Sequence, residues 1–182
     1  QAFIWAPDSD DIRSEGMSYG MMLAVQLGLR EHFDRLWKFA QTHMQYPAGQ
    51  GAWARYFKWQ GTVSATSTSR WAVTYGPNTS PAPDGELYFA AALYLADRRW
   101  GSDSGVNYRQ AADELARAML DNPPSRGRFP LIHAQQNMVV FVPIGQSNGF
   151  SDPSYHLPAF YELFALYADA AGAERWRAIA ET

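Results

Sequence analysis

The sequence predicts an all-α domain built as an inner and an outer ring of helices. Apolar residues recur at helical spacing through most of the chain. The helices marked this way come in pairs, the first apolar on most sides and the second along a single stripe. In addition, a short polar cluster interrupts the pattern just before each strongly apolar helix.

The first pair opens at Ser14, which can cap a helix running to about Leu29. Met17, Met21, Ala24, Val25 and Gly28 share one face, while Tyr19, Met22, Leu23 and Leu27 fill much of the rest, so burial all round is expected. The next helix, about Glu31 to Met44, sets Phe33, Leu36, Trp37 and Ala40 against a wet side of Glu31, Arg35, Lys38 and Gln41, and Pro47 ends it. The pair recurs as a two-sided apolar helix from Gly85 to about Asp97 and an amphipathic one from Tyr108 to Leu120. A third apolar helix runs from His156 to about Ala171 with Pro158 in its first turn, and a shorter amphipathic segment starts at Ala173. An α-solenoid would alternate in a similar way, but with shorter and more regular repeats.

Two long connections separate the pairs, Gln45 to Pro83 and Asp121 to Tyr155. Loops of that length bind something or are disordered, and their aromatic and β-branched residues argue against disorder. Met138 to Val142 reads as a short strand and the Ser-rich residues 64–69 as a loop. Nothing marks a domain boundary, so 1–182 is read as a single domain.

Composition removes several function classes. The net charge is −3 and Lys and Arg form no dense cluster, which disfavours nucleic acid as a partner. No apolar run reaches the ~18 residues of a membrane span. Gln1 to Asp11 lacks the basic and apolar regions of a secretion signal, although a removed leader would leave the same start, so the compartment is left open. Without cysteine there are no disulfides or thiolate metal sites, and His32, His43, His133 and His156 lack metal-ligand spacing. The unusual figure is 15% aromatic residues, including seven Trp and ten Tyr. Many belong in a core, but those in Gly/Ser/Thr-rich stretches are candidates for stacking against the apolar faces of sugars.

The polar clusters span residues 13–20, 81–86 and 151–158, and place Glu15, Asp84 and Tyr155 one helix pair apart each time. If the inner helices run parallel, all three clusters reach one rim and two carboxylates can converge on one substrate. An acidic residue in a first turn also has a purely structural use, offsetting the helix dipole. Glu15 differs in being followed by Gly16 and then by Met and aromatic residues, surroundings that can desolvate it and raise its pKa. A carboxylic acid kept protonated near neutral pH is what protonating a glycosidic oxygen needs.

Ser-Glu-Gly-Met-Ser-Tyr-Gly-Met-Met (14–22), Gly-Pro-x-x-Ser-Pro-Ala-Pro-Asp-Gly-Glu-x-Tyr-Phe (76–89), Arg-Trp-Gly (99–101) and Ser-Asp-Pro-Ser-Tyr-His-Leu-Pro-x-Phe-Tyr-Glu-Leu-Phe (151–164) resemble glycoside hydrolase family 8, in wording closest to its xylan-cleaving members. The resemblance implies an (α/α)6 barrel, here about three of six inner/outer pairs, and hydrolysis of β-1,4-xylosidic bonds with inversion and no cofactor. By position, Glu15 would be the general acid and Asp84 would hold the sugar at the cleavage site. Tyr155 would sit near the attacking water, Trp59 would be a stacking platform, and Arg13 and Tyr19 would join in binding substrate. The family's base is an Asp on a later inner helix with no counterpart here, so a C-terminal half or a second copy would be needed to complete the ring. An endo-xylanase, with secretion slightly favoured, is the leading expectation. A reducing-end exo-oligoxylanase, a non-catalytic carbohydrate-binding half-barrel and a helical-repeat interaction domain are the alternatives.

Overall fold

The computed structural model describes residues 1–65, 71–77, 79–102 and 105–182. Its helices fall into three pairs: α1 (Ser14–Leu27) with α2 (Arg30–Phe39), α3 (Pro83–Trp100) with α4 (Tyr108–Asp121), and α5 (Pro158–Tyr167) with α6 (Ala170–Ala180). None is long and apolar enough to cross a membrane among the described residues.

The odd-numbered helices lie side by side with their starts at one end. A Cβ on Gly85 at the start of α3 would stand 2.6 Å from Ser14 Oγ at the start of α1. One turn further along, Tyr19 of α1 meets Tyr88 of α3 edge-on at 4.6 Å, and Tyr88 meets Phe160 of α5 at 4.8 Å. Equal register at successive levels means parallel helices. The even-numbered helices lie outside: Trp37 of α2 packs on Phe89, and Trp176 of α6 on Tyr161 and Phe164. Met17, Met21, Phe33, Phe89, Tyr94, Phe164 and Trp176 in the core between them are fully buried.

Several helix ends differ from the expectation, each for a local reason. Ser14 does not cap α1; it is the first helical residue, Arg13 stands at the cap, and the Ser14 hydroxyl donates to Glu15 Oε2 at 3.3 Å. The helix stops at Leu27 because Gly28 turns left-handed (φ 76°), with the Leu29 N–H returned to Ala24 O. Beyond α2, residues Ala40–Met44 widen into a π-helix. The third inner helix is shorter than expected at both ends. It starts at Pro158, since a residue before proline avoids helical geometry. It ends at Tyr167 because Asp169 caps a new helix by accepting from Gly172 N–H, so α6 begins at Ala170 rather than Ala173.

The long connections carry structure that helical periodicity did not indicate. β1 (Ile12–Arg13), β2 (Gln60–Ala65) and β3 (Trp71–Thr74) form an antiparallel sheet with Arg13 opposite Gln60 and Val63 opposite Val73. The Ser-rich stretch therefore starts inside a strand, at Ser64 and Ala65, and residues 66–69 lie outside the described ones. β4 (Ile132–His133) pairs with β5 (Met138–Val139), so the expected strand covers only the first two residues of 138–142. Trp53, Tyr56 and Phe57 join the core.

One expectation about burial fails. Leu23, Leu27 and Tyr19 form an exposed stripe on α1, and Leu166 of α5 is 78% exposed. The inner helices are covered on the sides facing each other and their partners, and open on the remaining one.

Candidate active site

The rim where α1, α3 and the segment before α5 begin is built by backbone pairing. Ser14 N–H donates to Trp59 O, and Trp59 N–H donates to Ser80 O, both at 2.9 Å. Residue 59 therefore ties the start of α1 to the strand-like lead into α3. The closest point is Asp84-Gly85-Glu86, where only glycine fits against Ser14.

Burial raises the Glu15 carboxyl above its ordinary range, and the Ser14 hydroxyl and Arg13 offset only part of this. Burial, together with the charge of Glu15, pushes Asp84 up to about 7. The Tyr19 hydroxyl donates to Asp84 Oδ2 at 3.5 Å, while Asp84 Oδ1 is buried without a partner. Tyr19 itself is raised to about 12, first by burial and then by Asp84. The Tyr155 phenol is also raised, first by burial and then by the charges of Asp84 and Glu15. It belongs to the turn Pro153–Tyr155 just ahead of α5, stacked on Phe141 at 5.7 Å. Glu15, Asp84, Tyr19 and Tyr155 thus share one electrostatic neighbourhood.

Trp59 is half-buried, with the Arg13 guanidinium 6.0 Å from its ring centroid. Arg13 lies on β1, its Nε donating to Asp11 at 3.2 Å and its Nη2 to Ser9 Oγ at 2.7 Å. Its guanidinium is thus committed to neighbours on its own segment and covers part of Trp59.

Glu86 is a member of the second polar cluster to which the sequence assigned no role. It is fully buried; its Oε1 accepts from Phe57 N–H at 2.7 Å and its Oε2 has no partner. Burial raises its pKa well above normal, with Asp84 and Glu15 adding to the effect. Burial favours its protonated form, and its bond to Phe57 N–H pins the Phe57–Trp59 segment to α3. The signal was present, since an acidic residue two positions after Asp84 falls on the inward side of a helix apolar on both faces. Among the described residues no cluster of His, Asp or Glu could hold a metal ion.

Two protonatable carboxyls at neighbouring helix starts, ringed by phenols and an indole, suit a polyol substrate and proton transfer to oxygen. The family model for glycosyl hydrolases family 8 matches residues 6–182. The chain belongs to that family. Among family 8 relatives it is 41% identical over 174 residues to the reducing-end xylose-releasing exo-oligoxylanase Rex8A of Paenibacillus barcinonensis, covering 95% of this chain and 42% of Rex8A. It is 39% identical to a reducing end xylose-releasing exo-oligoxylanase of Halalkalibacterium halodurans, covering 94% of this chain and 41% of that protein. A solved structure of Rex8A complexed with xylose superimposes with a TM-score of 0.79 at 40% identity, covering 95% of this chain and 42% of that one. The chain spans less than half the length of these family 8 relatives. The family fold is an (α/α)6 barrel, and the chain forms part of one.

Proposed function

We propose that this chain carries the acid side of an inverting glycoside hydrolase that cleaves β-1,4-xylosidic bonds in xylo-oligosaccharides. Glu15 protonates the glycosidic oxygen. Asp84 holds a hydroxyl of the sugar at the cleavage site, Trp59 offers a ring for stacking, and Tyr19, Tyr155 and Arg13 line the remainder. The observation that carries this is the Glu15 carboxyl, raised by burial at a helix start beside Asp84. Inversion needs a second carboxylate roughly 6.5–9.5 Å from the acid, with room for a water. The resemblance puts that base on a later inner helix of the ring. Asp84 is a poor substitute, because it is already assigned to the sugar.

The sequence favoured endo action, but the likeness to reducing-end xylose-releasing exo-oligoxylanases supports the alternative, release of xylose from the reducing end.

The test is Glu15→Gln in the intact protein. The amide keeps the shape and most hydrogen bonds but carries no transferable proton. Hydrolysis of xylo-oligosaccharides should fall by about 10²–10⁴ while their binding survives. A substrate with an activated leaving group should lose much less. Hydrolysis at the native rate would reduce Glu15 to a residue that serves the helix end.

A further inference from the structure

Behind the aromatic loop lies a cavity of about 190 Å³ with Tyr46, Trp53, Lys58, Tyr75, Arg128 and Ile144 in its walls. Lys58 Nζ stands 4.1 Å from the Tyr75 ring centroid and 5.5 Å from that of Tyr46; the Arg128 guanidinium is 4.1 Å from that of Trp53. Both cations are only partly exposed, no Asp or Glu lines the cavity, and neither cation forms an ion pair among the described residues.

The neutral polar groups of the wall are already engaged. The Tyr46 hydroxyl donates to Thr79 O, the Tyr75 hydroxyl to His43 O, and Trp53 Nε1 to Pro143 O at 3.1 Å. Among the described residues, what is left facing the cavity is two cation heads held by aromatic rings. Burial depresses the Lys58 pKa, as it does for a charge short of compensation. In a chain of net charge −3, this is a local positive site without its counter-ion.

We propose that this cavity binds the carboxylate of an acidic sugar, with Arg128 and Lys58 as its partners. A planar guanidinium fork matches a carboxylate bidentately, and a lysine adds a point charge. Among the described residues no helix N-terminus, a feature that phosphate sites commonly use, lines the cavity. The inference rests on the xylo-oligosaccharide reading, in which the sugar is a uronic-acid branch of the xylan chain. Lys58 immediately precedes Trp59, so the cavity and the stacking ring belong to one loop.

The experiment is calorimetric titration of the intact protein with D-glucuronate, D-glucose, inorganic phosphate and, separately, xylotriose. D-glucuronate should bind and D-glucose, which lacks the carboxylate, should not. Arg128→Gln and Lys58→Met should each weaken glucuronate binding about tenfold or more, as expected for loss of one charge-assisted hydrogen bond, while Lys58→Arg retains it. Xylotriose binding should be unchanged in all three variants. Equal binding of glucose and glucuronate overturns the proposal, as does phosphate binding more tightly than glucuronate. The native-protein comparison of the two sugars decides the matter even if a variant misfolds. Xylotriose binding without glucuronate binding sinks this inference alone, and the reverse sinks the cleft reading alone.

Discussion

Replacing Asp84 by Asn should make the fold less sensitive to pH. In the unfolded chain this carboxyl ionises near 3.8, whereas burial and the charge of Glu15 push it up to about 7 in the folded protein. Between those values the folded state holds a proton that the unfolded state has released, so stability falls as pH rises through the window. The full loss is about 4 kcal/mol by pH 8, of which roughly 2.5 kcal/mol falls between pH 5 and pH 8. Asn keeps the shape, can still accept from the Tyr19 hydroxyl, and cannot ionise. Urea unfolding followed by tryptophan fluorescence at pH 5, 6, 7 and 8 reads the difference directly. The variant should gain on the native protein by about 2–3 kcal/mol across that range, most steeply between pH 5 and 6 and levelling off above pH 7. Parallel stability profiles would refute the reasoning and place Asp84 in contact with solvent.

Gly85→Ala sets a methyl 2.6 Å from Ser14 Oγ and 2.8 Å from its Cβ, so thermal unfolding should show a loss of about 1–3 kcal/mol and a weakened cleft. Glu86→Gln should leave stability at pH 7 nearly unchanged, because an amide oxygen can still accept from Phe57 N–H; Glu86→Leu orphans that donor and should cost about 1–3 kcal/mol by chemical denaturation. Trp59→Ala should weaken xylo-oligosaccharide binding by about 1 kcal/mol, roughly fivefold in calorimetric Kd, with the fold intact. Unchanged affinity would remove Trp59 from the cleft.

The helices were legible because their signal is local. Met17, Met21, Ala24 and Val25 recur at the spacing of one helix face, and the contrast with the Phe33–Trp37 stripe separates inner from outer helices within a single window. The rim was legible because its polar clusters repeat at almost equal intervals. The sheet was not. β1 is two residues long and pairs with β2 from the far side of a helix pair, a register set by tertiary contact and without period-2 alternation of its own.

The order of helices, the alternation of buried and amphipathic members and the identity of Glu15 and Asp84 as rim carboxylates follow from the sequence by itself. Each depends on residues that sit within a turn or two of one another. The tertiary structure alone decided how those carboxyls behave. Burial depends on what packs around a helix start, and here that is the approach of Gly85 to Ser14, which brings two acids from distant parts of the chain together and raises both. The same holds for Glu86, whose raised pKa comes from the core that closes over it, and for Trp59, placed by backbone bonds to Ser14 and Ser80. Desolvation and long-range pairing are sums over neighbours that sequence order does not name, and the chemistry of this rim depends on them.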